Sequence, residues 1–185
     1  MKTMLKTLCA ALFLTSALWL NAAETAAAPT PPAVKRSAEF ERMKTLAGTW
    51  TGKTDMGQGP VEISIQYRVI AAGSVVEERC FIGTPNEMVS MYYDDGGKLA
   101  MTHYCMLGNR PVMTAKVKDA KTIEFEFNAA CCTIDTKKES HMNAMTVRFD
   151  DANTITTSCK ALIEGKEMPH NSTTLKRVPA TTAAK

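Results

Sequence analysis

The stretch PVEISIQYRVI, residues 60–70, constrains the fold of this chain more than any other. Val61, Ile63, Ile65, Tyr67 and Val69 fall on one face, and Glu62, Ser64, Gln66 and Arg68 on the other. A strict period of two marks a half-buried antiparallel strand. The pattern then recurs between turn signals. Ala72-Gly73 leads into SVVEERCFIG, Pro85-Asn86 into EMVSMYYDD, and Gly96-Gly97 into KLAMTHYC, paired glycines accepting the positive φ of a tight hairpin. Gly108-Asn109 leads into PVMTAKV and Asp119–Lys121 into TIEFEF; SHMNAMTVRFD, TITTSCKALI and Ser172–Val178 follow. The spacing predicts an all-β fold of about nine or ten strands joined by short turns. Up-and-down order favours closure into an antiparallel barrel, because closure removes exposed edges. An immunoglobulin-like sandwich would need sheet-crossing connections, which these short links do not supply.

One helix precedes the strands. Ser37 is an N-cap, Glu39 and Glu41 occupy the first turn, Phe40, Met43 and Ala47 recur at helical spacing, and Gly48 supplies the stop. The chain opens with Lys2 and Lys6 before an apolar run from Thr7 to Leu20 and then small residues. That run is shorter than the roughly 20 residues a membrane helix needs. It reads as a secretory signal over residues 1–23, followed by an Ala/Pro-rich linker at 24–36, a barrel domain at 37–178 and a disordered tail at 179–185. The expected location is periplasmic or extracellular, with no membrane span in the mature chain. The net charge is +3, with 22 basic residues; Lys2 and Lys6 leave with the leader, so 20 stand against 19 acidic ones. Without a basic stripe, nucleic acid is excluded as a partner. The oligomeric state stays open.

Of six cysteines, Cys9 leaves with the leader. In an oxidising compartment the remaining five suggest disulfides, with Cys131 or Cys132 bridged to Cys159 as the expected pair.

The segments LAGTW (46–50), THYC (102–105), GNRP (108–111) and HM (141–142) are similar in wording and order to secreted bacterial lipocalin-like proteins of uncharacterised function. Those are barrels of the calycin type, a group that also holds fatty-acid-binding and nitrobindin-like proteins. The resemblance spans residues 38–178 and implies a calycin-like barrel with an internal cavity. It also implies that Gly48 and Trp50 are structural, with the Trp plugging the closed end beside the helix. Nitrobindin-like relatives hold haem through a late histidine. Here the late His170 stands in the turn-like GKEMPHNS, so that role does not transfer, and the fatty-acid-gripping Arg-x-Tyr of the last strand is replaced by Leu175, Lys176 and Arg177.

The chemistry-bearing stretch is THYCMLGNRPVM, residues 102–113. Alternation places Met101, His103 and Cys105 with Leu99 on an inward face, and His141 and Asn143 with Met145, Val147 and Phe149 on another. A closed barrel has one interior, so both imidazoles are expected to face a shared cavity. Asn109 and Arg110 would sit at the rim, where a guanidinium could meet an anionic group. The expected function is therefore binding of a small apolar or amphipathic molecule in the lumen, by Met101, His103, Cys105, Asn109, Arg110, His141 and Asn143. Other readings remain open. The histidines could simply be satisfied core residues. His103, Cys105 and His141 could hold copper or zinc in a chain whose mature part keeps ten methionines, or the barrel could bind haem. Cys105 with a histidine base could make an enzyme. The sequence names no cofactor.

Overall fold

The computed structural model describes residues 35–55, 57, 59–168 and 171–180. The expected leader, and most of the linker and the tail, lie outside the described residues, as does His170. One helix, α1 (Ala38–Lys44), precedes the strands β1 (Gly48–Asp55), β2 (Pro60–Ile70), β3 (Val75–Cys80), β4 (Met88–Asp95), β5 (Lys98–Tyr104), β6 (Val112–Asp119), β7 (Thr122–Phe127), β8 (His141–Asp151), β9 (Thr154–Ile163), β10 (Lys166–Glu167) and β11 (Asn171–Arg177). Each strand from β1 to β9 pairs antiparallel with the next; β9 then pairs with β11 and β11 with β1. Ten strands thus close an up-and-down barrel, and the two-residue β10 hangs on β9 outside the ring. The sandwich alternative is excluded.

Side chains opposite one another on paired strands share a face, so inward rows can be followed around the barrel. One runs Val76, Tyr92, Met101, Met113 and Phe127. The first four are fully buried, and Phe125 packs a further ring on Tyr92 at 5.4 Å between centroids.

The helix covers one end of the barrel. Ser37 caps it as expected, its Oγ accepting from Phe40 N at 3.2 Å, while its own N–H donates to Asp94 Oδ2 at 2.5 Å. Arg42 donates to Ala120 O at 2.8 Å and stacks on Phe149. The helix is thereby tied to β4, to the β6–β7 turn and to β8. It ends at Lys44, earlier than its apolar spacing suggests, because Leu46 and Ala47 bond to carbonyls three residues back and tighten the last turn.

Trp50 is fully buried at this end, donating Nε1–H to Leu46 O at 2.8 Å. Arg177 of the last strand lies over its ring at 4.2 Å and donates to Ala47 O and Thr45 O. Gly48 begins β1 at φ +129°, a conformation side chains rarely adopt.

Candidate functional site

At the end away from α1 the barrel holds a cavity of about 300 Å³. Its wall is mostly apolar: Ile63 and Ile65 from β2, Met142 and Met145 from β8, and the thiols Cys80 and Cys159. Glu78 and His103 are its two polar groups of highest consequence.

Those two residues belong to one cross-strand row. Tyr67 on β2 stands opposite Glu78 on β3, Glu78 opposite Ser90 on β4, and Ser90 opposite His103 on β5. All four point inward and are at most 5% exposed. Four polar side chains in a single layer of a mostly apolar lumen need partners. Tyr92, one row deeper, donates its hydroxyl to Glu78 Oε2 at 2.5 Å. Ser90 Oγ and His103 Nδ1 are hydrogen-bonded at 3.0 Å. Tyr67 Oη and His103 Nε2 are buried with no hydrogen-bond partner among the described residues.

Burial dominates the electrostatics of this layer. It raises the Glu78 carboxyl above its ordinary range, while the hydrogen bond from the Tyr92 hydroxyl pulls the other way. Burial and the nearby carboxyl hold Tyr67 and Tyr92 as neutral phenols. His103 is driven down to about 4 by burial, so its imidazole is neutral at physiological pH. The thiols of Cys80 and Cys159 are pushed up to about 12 and about 11 by burial, which keeps both protonated.

Of the seven residues expected to form the site, His103 alone stands on the cavity wall. Met101 lies deeper, in the core row beside Tyr92. Cys105 follows the end of β5, half-buried, its N–H bonded to Asn109 O at 3.1 Å. Asn109 donates Nδ2–H to Ser140 O at 2.7 Å and ties the turn to the loop before β8; Arg110 is exposed.

His141 is fully buried, yet the two imidazoles do not share the cavity. Its Nδ1 is bonded to Glu139 O at 2.8 Å and its ring packs on Phe127 at 4.7 Å. The cause is a register shift between Met142 and Ala144, with Asn143 as the extra residue. A bulge inverts the facing of residues on its two sides. Met142 and Met145 therefore both line the lumen, and His141 does not.

The expected disulfide is likewise not formed. Cys80, Cys105, Cys131, Cys132 and Cys159 are all free thiols. Cys159 faces the lumen, whereas Cys131 is exposed on the loop after β7, so the barrel wall separates them.

Glu78, Ser90, Tyr67 and Tyr92 are not among the residues that the sequence pattern assigns to the site. The signal for Glu78 was present: in VVEERC the same alternation sets it with Val76 and Cys80, and Glu77 with Arg79. Neither a metal centre nor a nucleophilic dyad is assembled from the expected residues. Among the described residues no group of three His, Cys, Asp or Glu side chains is placed to hold a metal ion. Ser90 sits between the carboxyl and the imidazole and is not on the cavity wall.

No protein-family model matches this sequence, and no curated protein is significantly similar to it. Among solved structures, the chain is similar to a protein of unknown function from the DUF3598 family of Nostoc punctiforme, at a TM-score of 0.52 and 12% identity over 82% of this chain. It spans 53% of that protein's length. It is also matched to a redesigned β-barrel at a TM-score of 0.35 and 9% identity, over 74% of this chain and 95% of the design. At such identities the likeness to the Nostoc protein is one of fold.

Proposed function

We propose that this protein is an exported, lipocalin-like carrier that holds one small apolar or amphipathic molecule in its lumen. The observation that carries the reading is the cavity: about 300 Å³, walled by aliphatic and sulfur-bearing side chains and met by Glu78 and His103. Ligand sites are built this way, from apolar lining with a few placed polar groups. His103 Nε2, buried and without a partner among the described residues, is the kind of atom a ligand would satisfy. Among the described residues no helix is long and apolar enough to cross a membrane. Export rests on the sequence alone, on Lys2, Lys6, the apolar run and the small residues after it.

Native mass spectrometry of protein taken from the producing cell addresses both parts at once. The expected mass is that of a chain beginning between Ala22 and Thr30, with an additional organic mass released on denaturation. A chain retaining Met1 would remove export from the reading. A preparation without bound mass that also takes up no apolar probe would remove the carrier role.

A further inference from the structure

Adjacent glutamates on β3 have opposite fates. Glu77 faces outward, pairs with Arg68 and lies 4.0 Å from Arg79 Nε. Glu78 faces inward, is 5% exposed, and has no basic partner among the described residues. No lysine or arginine stands on the cavity wall either. One carboxylate oxygen is occupied by the Tyr92 hydroxyl. A buried acid is ordinarily paired or metal-bound. Glu78 has instead been left at the inner end of a ligand-sized, apolar space.

We propose that Glu78 is the counter-charge for the ligand, and that the cavity selects a small primary or secondary ammonium compound with an apolar tail. This rests on the carrier reading above and names the ligand class for that same cavity. The ammonium group lies against the Glu78 carboxylate, forming an ion pair shielded from water, where such pairs discriminate most strongly. His103 supplies the second contact. In the tautomer that gives Nδ1–H to Ser90, the Nε2 left without a partner among the described residues carries a lone pair and accepts an N–H from the same ligand nitrogen. Glu78 and His103 are two strands apart in one row, about 10 Å between backbones, and both side chains point inward. The thioethers of Met142 and Met145 and the side chains of Ile63 and Ile65 form a deformable apolar wall for the tail. A carboxylate ligand would meet Glu78 with no base to offset the repulsion. Fatty acids are therefore disfavoured by charge as well as by the absent Arg-x-Tyr.

Titration calorimetry with three probes of equal length tests this: n-hexylamine, 1-hexanol and hexanoate, at about pH 8, where the amine is charged. The purified protein is expected to bind hexylamine at least about tenfold more tightly than hexanol, and hexanoate most weakly. Glu78→Gln should bring hexylamine to the hexanol level and leave hexanol unchanged. Should Glu78→Gln fail to fold, the ranking on the unaltered protein decides the matter. Hexanol binding as tightly as hexylamine would mean that Glu78 is a protonated spectator; the ammonium assignment then falls and the carrier reading stands. If neither these probes nor their decyl counterparts bind, both fall together.

Discussion

His103 carries the clearest residue-level consequence of burial. Its folded imidazole titrates at about 4 against an ordinary value of 6.5. Between those values the unfolded chain holds a proton that the folded chain does not, so stability is lost as pH falls from about 6.5 to about 4. The full shift corresponds to roughly 3 kcal/mol. Glu78 acts in the opposite sense: its folded carboxyl is raised, so the folded state takes up a proton first and regains stability as pH falls through that value. Comparing urea melts of the unaltered protein with His103→Gln over this range separates the two. The variant should lose less stability than the parent on acidification, by about 1 to 3 kcal/mol. Parallel pH profiles would show that His103 titrates normally and that the lumen is wetter than its burial indicates. The inward facing of His103 was legible in the sequence, because Leu99 and Met101 share its phase. The equivalent reading of Glu78 needed only the same rule applied to Val76 and Cys80.

Among the elements, the seam between β1 and β11 decides whether there is a barrel at all. It joins residues far apart in the chain, as in the hydrogen bond of 2.9 Å from Thr173 Oγ1 to Thr54 Oγ1. Gly52 lies at its closest approach: a Cβ there would come within 2.3 Å of the Thr174 carbonyl oxygen and 3.1 Å of Leu175. The first of these is backbone and cannot step aside. Gly52→Ala should therefore separate the strands and cost about 1 to 3 kcal/mol, the range typical of overpacking. Thermal unfolding reads the loss, and hydrogen exchange should place it at β1 and β11. An unchanged melting temperature would mean the seam has slack the geometry does not show. Alternation revealed each strand singly, but periodicity is local and says nothing of which strands meet. The bulge at Asn143 was illegible for a related reason. One unpaired residue leaves the hydrophobic pattern of each half intact while reversing their relative facing, so alternation alone gives His141 the face that Met142 occupies.

At the scale of the whole molecule the barrel is a closed wall, and four of its cysteines report on the two sides of it. Cys131 is exposed outside and Cys132 is half-buried, its Sγ near Asn128 O at 3.4 Å. Cys80 and Cys159 stand inside, on the cavity wall, protonated because burial raises them to about 12 and about 11. The thiolate is the nucleophile, so alkylation depends both on access and on the fraction ionised. At about pH 8 the luminal thiols should react slower than free cysteine by roughly two to three orders of magnitude from ionisation alone. Iodoacetamide labelling followed by peptide mass mapping gives the order: Cys131 first, Cys80 and Cys159 last, with the differences erased in denaturant. An occupied lumen should slow the last two further, since the ligand covers the same sulfur atoms. Labelling of Cys80 at the rate of Cys131 in the native protein would mean that the barrel opens on the timescale of the reaction. A lumen that opens so readily could not retain a ligand, and the carrier function would have to be abandoned with it.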